Sequence, residues 1–271
     1  MTSHASQAYN TVALYNAKGG TGKTTVGINV AGALNQRGHD VLFVDLDPQG
    51  NATEGLGLVE AYDAQPPNLF DVVTDSEMRD AANEIVQDNP EFGVLPSNVD
   101  MLNAERELII ADYEGEDVLP NLSHALVALD RDYDYVLIDS PPFFGEVSDS
   151  ALFAAQNVLV PALTESTSQR AVELLLDQIE RLEQTRDIYI REVGAVANRV
   201  ESTNEAERMQ EWIQQAFPDI PVFNVRKRVA LQRAYGAGVS IFEHDESSDM
   251  SKVFLDIADS LDEQFQEATH V

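Results

Sequence analysis

Apolar residues along the 271-residue chain follow two alternating patterns. Short apolar runs stand at 11–16, 41–45, 92–95, 135–139, 157–160, 193–197 and 221–223. Nearly all are bounded by turn residues, as strands buried on both faces of a parallel sheet should be. Between them, apolar positions recur at helical spacing over 24–36, 68–74, 78–87, 101–111, 118–130, 148–154, 169–184, 204–216 and 249–266. Strand alternating with helix predicts an α/β fold: a doubly wound, mostly parallel sheet with helices on both faces and right-handed crossovers. Pro66-Pro67 and the acidic stretch 112–117 read as loops. The pattern predicts one domain over 10–271, preceded by a disordered tail over 1–9.

The turn after the first predicted strand carries the most specific chemistry. Val12-Ala13-Leu14-Tyr15 leads into Lys18-Gly19-Gly20-Thr21-Gly22-Lys23-Thr24-Thr25, and a helical pattern follows from Val26. Strand, glycine-rich turn and helix are the context of a phosphate-binding loop. Glycines let successive backbone N–H groups turn inward onto phosphate oxygens, and the helix adds its positive dipole end. Lys23 is expected to reach the β- and γ-phosphates of a nucleoside triphosphate, and the Thr24 hydroxyl to ligate Mg²⁺. The octet departs from the usual motif: Ala17 stands at the first glycine position, and Lys18 is an additional lysine. As a plain reading, Lys18 is a solvated cation at a loop start.

Carboxylates stand at the ends of two other predicted strands. Asp139 closes an apolar run, where a charge is costly without a cation, although a simple strand cap is the competing account. Asp45 and Asp47 lie two apart and share a face if the strand continues, so one can support a metal and one can orient water. Asn198 follows the strand at 193–197, where by position alone it is a cap of the strand–loop junction. Ligands of such sheets bind beyond the carboxyl ends of the strands, where all these residues are expected to meet.

The octet 18–25, the run Val44-Asp45-Leu46-Asp47-Pro48-Gln49-Gly50-Asn51 and the strand Tyr135–Pro142 together resemble the ParA/MinD superfamily of dimerising ATPases, most closely ParA/Soj-type partition proteins. Ser97–Leu108 and Val158-Leu159-Val160-Pro161 add to the likeness. The resemblance implies Mg²⁺-dependent ATP hydrolysis in an ATP-bridged sandwich homodimer. It assigns catalytic roles to Lys18, acting across the dimer on the partner's triphosphate, to Lys23, and to Asp47 as water activator. It further implies loop or metal support from Asp45, a water-mediated metal contact from Asp139, and adenine recognition by Asn198. Pro141–Gly145 would sense the γ-phosphate, with Phe143-Phe144 alternatively serving core or dimer packing. Expected partners are nonspecific DNA and a ParB-like adaptor that stimulates hydrolysis, so that a chromosome, plasmid or other cargo is segregated or positioned. A MinD-like role on a membrane would need a basic terminal amphipathic helix. Here 253–265 is amphipathic but acidic, so it is expected to dock on its own domain. Metabolic relatives that phosphorylate a carboxylate or amide lack the Asp-Leu-Asp-Pro-Gln-Gly-Asn run in this form.

Composition narrows the class. The absence of cysteine excludes disulfides, Fe–S clusters and thiolate zinc sites. No run reaches the roughly 20 apolar residues of a membrane span, and the N-terminus lacks signal-peptide features, so a cytoplasmic protein without membrane insertion is expected; the resemblance to ParA proteins implies that it is nucleoid-associated. With the nucleotide core starting by about residue 10, no separate N-terminal DNA-reading domain is expected. The five histidines lack ligand spacing, and Trp212 sits in a helical pattern as a core residue.

The net charge is −30, from 47 acids against 17 bases, only four of them lysine. Residues 170–233 carry 10 bases and 11 acids, so −29 of the −30 lies elsewhere. Arg226, Lys227, Arg228 and Arg233 crowd the end of that segment. They are the expected DNA-phosphate surface, with dimer packing or nucleotide contact as the competing use. An acidic, lysine-poor chain suggests a halophilic source, because molar salt shortens the screening length to about 3 Å and quiets self-repulsion. Circular dichroism between 0.1 and 3 M KCl should therefore show structure gained with salt; an unchanged spectrum removes the halophilic reading.

Overall fold

The computed structural model describes residues 9–269. One eight-stranded sheet forms from β1 (Asn10–Leu14), β2 (Val41–Asp45), β3 (Gln87–Asp88), β4 (Gly93–Leu95), β5 (Tyr135–Asp139), β6 (Asn157–Leu163), β7 (Arg191–Val200) and β8 (Val222–Arg226). Its spatial order is β3-β4-β2-β5-β1-β6-β7-β8. Every pair is parallel except β3–β4 at one edge. Each strand is too short and apolar to stand alone, and alternate residues feed opposite faces. Val136 and Ile138 of β5 join one core cluster, while Tyr135 and Leu137 join the other. β2 divides likewise, Leu42 and Val44 against Val41 and Phe43. The doubly wound sheet expected from the alternation is thus present, with helices covering both faces.

The register sets up the site. Leu14 of β1 and Asp45 of β2 both pair with Asp139 of β5, so three strand ends lie abreast. β6 runs past Pro161, where the apolar run suggested a stop. The Pro161 carbonyl accepts from Asn16 Nδ2, so its N–H-less nitrogen faces the side on which β1 has already ended and no ladder bond is lost.

The long helix Asp249–Thr269 docks on the helix Lys23–Gln36, as expected for an acidic amphipathic segment. Phe254, Ile257 and Leu261 are buried in the cluster that holds Ile28 and Leu34. Arg37 grips Asp259 through two bonds of 2.6 and 2.5 Å, and His39 lies 3.0 Å from Asp262. Trp212 packs partly buried against the other cluster. No helix among the described residues is long and apolar enough to cross a membrane.

Several boundaries differ from the sequence reading. The helix expected over 78–87 is a 3-10 helix at Ser76–Ala81, one α-turn at Ala82–Ile85 and then β3. The apolar spacing there was too short to separate a helix from a strand leading into the sheet edge. Four short helices were not expected: Asn51–Gly55, Val59–Tyr62, Val229–Gly236 and Ile241–Asp245. The tail expected over 1–9 lies outside the described residues except Tyr9, whose ring packs edge-on against Tyr133 at 6.3 Å.

Phe254→Ala should lower unfolding free energy by about 3–5 kcal/mol, the usual cost of emptying a fully buried aromatic site, and urea titration measures it.

Candidate nucleotide site

Asn16, which is fully buried, anchors the turn after β1. Its Nδ2 donates to the Pro161 carbonyl, its Oδ1 accepts from Lys18 N–H at 2.9 Å, and its own carbonyl accepts from Lys23 Nζ at 3.0 Å. Gly20 and Gly22 adopt φ of +76° and +87°, a region open to glycine at little cost. At Gly22 a Cβ would also collide with Asn198 Nδ2. The helix Lys23–Gln36 then begins with no side-chain cap, so its first N–H groups are left for an anion. Thr21, Thr24 and Thr25 follow Gly19 and Gly20 around this turn, which forms as the octet predicted.

Lys23 is buried in the turn, and burial pushes its ammonium below the ordinary range while Asp139 and Asp47 hold it up. Thr24 Oγ1 donates to Asp139 Oδ2 at 2.6 Å. Beside it, Asp45 Oδ2 accepts from both the N–H and the hydroxyl of Thr53, each at 2.7 Å. Burial lifts the Asp45 carboxyl to about 7, against the pull of Thr53. Asp139 is pushed well above the carboxylate range, by burial first and by the neighbouring Asp45 second. Asp47 Oδ1 accepts from Gln49 N–H at 3.0 Å; burial raises its pKa, and Lys23 opposes the shift.

Asp45 and Asp47 do not share a pleat as the alternation suggested, because β2 ends at Asp45. The turn after the strand brings them together instead. It is pinned by Leu46 N–H on the Asp139 carbonyl and by the Ser97 hydroxyl on the Asp47 carbonyl.

Among the described residues, the buried side-chain oxygens without a partner are Thr21 Oγ1, Asp45 Oδ1, Asp139 Oδ1 and Ser140 Oγ. All four belong to this one edge of the sheet. Buried polar atoms are seldom left orphaned, and two adjacent desolvated carboxylates call for a cation. An all-oxygen set of hydroxyl and carboxylates suits Mg²⁺, so the residues present fit that ion.

Lys18 does not enter its own cradle. Its ammonium lies 2.6 Å from Thr167 Oγ1, 3.2 Å from Ser168 Oγ and 3.4 Å from Glu165 Oε2, at the start of the helix Ser168–Arg186. Asn198 is buried against the turn: its Nδ2 donates to the Thr21 carbonyl at 2.8 Å and its Oδ1 accepts from Arg199 N–H. In the segment after Asp139, the Phe143 carbonyl accepts from Ser148 at 2.6 Å and lies 3.1 Å from the Tyr15 hydroxyl. Phe144 is 43% exposed and sits edge-on to Tyr15.

The basic cluster lies at the carboxyl end of β8, the outermost strand beside β7. Arg228 grips Asp249 through bonds of 3.0 and 2.5 Å, Arg226 lies 3.6 Å from the same carboxylate, and Lys227 pairs with Glu201 at 2.6 Å. These three cations line a polar cleft of about 360 Å³, and Arg233 is exposed on the helix Val229–Gly236.

Comparison with known proteins agrees with this geometry. The family described as AAA domain spans residues 9–191. The sporulation initiation inhibitor Soj of Bacillus subtilis is 32% identical over 91% of this chain and 96% of its own. The chain belongs to the ParA/MinD superfamily, close to its ParA/Soj members. The chromosome-partitioning ATPase Soj of Thermus thermophilus is 30% identical, covering 95% of this chain and 97% of its own. An ATP complex of Cyanothece McdA superposes with a TM-score of 0.81 at 23% identity, over 94% of this chain and 97% of that one. As a ParA/Soj relative with this turn, the protein is a P-loop ATPase.

Thr53, Asn16 and the Glu165–Ser168 holder of Lys18 escaped the sequence reading. Thr53 stands on one of the unexpected short helices, eight residues beyond Asp45. Asn16, a lone polar residue directly before the octet, offered a usable signal.

Asp45→Asn keeps an acceptor for Thr53 and removes the trapped charge. Because the folded pKa of about 7 exceeds the ordinary aspartate value of 3.8, the folded state holds the extra proton. The penalty is therefore absent below pH 3.8, grows as pH rises, and is complete above about 7. Without nucleotide or Mg²⁺, the variant should melt several degrees above the parent at pH 8, and by a smaller margin at pH 5.

Proposed function

We propose that this protein is a ParA-type ATPase. On binding ATP it closes into a sandwich homodimer, holds DNA without sequence preference, and is discharged by a ParB-like or other stimulating adaptor to segregate or position a chromosome, plasmid or other cargo. Lys18 carries the reading. It is a second lysine on a turn whose phosphate position Lys23 already occupies, and it is held only by two hydroxyls and an exposed carboxylate. Such a contact at a surface is weak, so Lys18 is free to leave for a triphosphate on the partner.

Within each protomer Lys23 holds the β- and γ-phosphates, and the free N–H groups of its helix cradle their oxygens. Mg²⁺ at the Thr24 hydroxyl, with Asp139 acting through water and Asp45 in support, would offset the charge that develops on the phosphates. Asp47 orients the attacking water. Asn198 keeps one amide hydrogen and one lone pair beyond its bonds to the turn, enough for an adenine edge. The Thermus relative described as a chromosome-partitioning ATPase and the McdA relative in complex with ATP support this reading.

DNA is assigned to Arg226, Lys227, Arg228 and Arg233. Phosphates there must compete with Asp249 and Glu201 for the first three, and each contact weakens as salt rises. Dimerisation, which doubles the patch, offsets that loss. The reading gives the protein a cytoplasmic, nucleoid-associated place.

Co-sedimentation of Asp47→Ala protein with unrelated DNAs, in Mg²⁺-ATP, ADP or no nucleotide at about 2 M KCl, tests it. ATP-dependent pelleting that Arg228→Glu abolishes, with turnover kept in an otherwise wild-type Arg228→Glu protein, is expected. ATP-dependent dimers that ignore DNA would sink the DNA assignment, and equal dimerisation of Lys18→Ala would sink the role of Lys18.

A further inference from the structure

The helix Ala104–Glu114, with the 3-10 turn Val99–Asn103 before it, buries one side and leaves the other bare. Ala104 and Leu108 pack inward against the helices Leu69–Thr74 and Glu146–Ala155. On the opposite side Leu102, Ile109 and Tyr113 are 55%, 52% and 91% exposed, with Ile110 beside them at 42%. Positions 102, 109 and 113 fall on one helical face. They form an apolar stripe three turns long, roughly 16 Å. Isolated exposed apolar residues are ordinary, but four on one side of a single helix, interrupted by the exposed Arg106 between Leu102 and Ile109, mark an interaction surface.

The surroundings of the stripe are acidic. Residues 100–117 hold seven carboxylates and one arginine, a net of −6, and that Arg106 is turned onto Glu107 at 2.5 Å. A second copy laid on the stripe by twofold symmetry would set −6 against −6. An anionic lipid surface would be repelled in the same way. A chain segment with its own apolar stripe flanked by lysine or arginine meets both requirements. We infer that the face Leu102–Tyr113 docks a cationic amphipathic helix of a partner protein, its apolar side on Leu102, Ile109 and Tyr113 and its basic flanks on the acidic frame.

The helix also touches the nucleotide machinery. The Glu105 carboxylate accepts from Glu146 and Val147 N–H at 3.0 and 3.1 Å, capping the helix that follows Pro141–Gly145. An occupant would therefore sit against the support of that segment. The docking inference itself stands on the stripe and its charge, not on the ATPase reading.

The probe is a labelled synthetic peptide of leucine and lysine at helical spacing, titrated by fluorescence anisotropy in KCl sufficient to keep the protein folded. Comparators are a scrambled peptide of the same composition, a leucine–glutamate counterpart, and phosphatidylglycerol vesicles. The amphipathic cationic peptide should bind best. Its affinity should fall about tenfold or more in the doubly substituted protein Ile109→Ser, Tyr113→Ser, and should hold in Tyr189→Ser, a control at another exposed aromatic (70%). Equal binding of the scrambled peptide, or equal affinity for parent and double variant, overturns the inference in favour of charge alone. A nucleotide-free parent that self-associates while the double variant does not assigns the face to a second copy. Vesicle binding lost in the double variant assigns it to lipid. ATP turnover, measured in parallel, should be unchanged in the double variant, so a failure here is separable from a failure of the ATPase reading.

Discussion

Two carboxylates standing abreast at the ends of adjacent strands, with almost no access to water, set the terms for the rest of this molecule. Asp45 and Asp139 are register partners, each with one oxygen left without a partner. Burying such a pair opposes folding unless neighbours take up the charge. Every nearby feature answers that cost. Thr53 gives Asp45 two bonds, Thr24 gives Asp139 one, and Lys23 is drawn in as a buried counter-charge against its own desolvation. The sheet carries the strain because β1, β2 and β5 are its central strands, packed on both faces. An edge strand would have relaxed and let water in.

The scaffold was readable because it rests on periodicity. A strand buried on both faces must be continuously apolar, and each one seen at the sequence level is in the sheet. Readability failed where local signals compete. Residues 78–87 satisfy a helical spacing and still give way to an edge strand. Pro161 looks like a stop but costs nothing where its neighbour has ended. The glycine-rich turn was legible as a turn, since glycine with φ near +80°, as at Gly20 and Gly22, has few substitutes. The partners of its side chains were not. Glu165 and Thr167 come from sequence positions with no distinguishing neighbours, Thr53 lies just past the Val44–Asn51 run, and only the fold carries them to Lys18 and Asp45.

Charge is distributed by a similar logic. The surface is strongly acidic, while several of the few cations are committed. Lys23 is buried, and Arg37, Lys227 and Arg228 are each tied to a carboxylate. The basic segment around β8 is therefore less a free positive patch than a set of ion pairs that a phosphate would have to exchange. By contrast the stripe on Ala104–Glu114 has apolar side chains that nothing in the fold covers. Salt acts oppositely on the two, screening the first and strengthening apolar contact at the second.

The packing of Asp249–Thr269 over Lys23–Gln36 also fixes an order of events during synthesis. The helix that carries the phosphate turn leaves the ribosome early, yet the segment that covers Ile28 and Leu34 follows about two hundred residues later. At elongation rates of roughly 5–20 residues per second, that apolar flank stays bare for tens of seconds. The nascent chain is thus most exposed to aggregation along the helix its chemistry needs most, and it becomes safe only when Phe254 arrives.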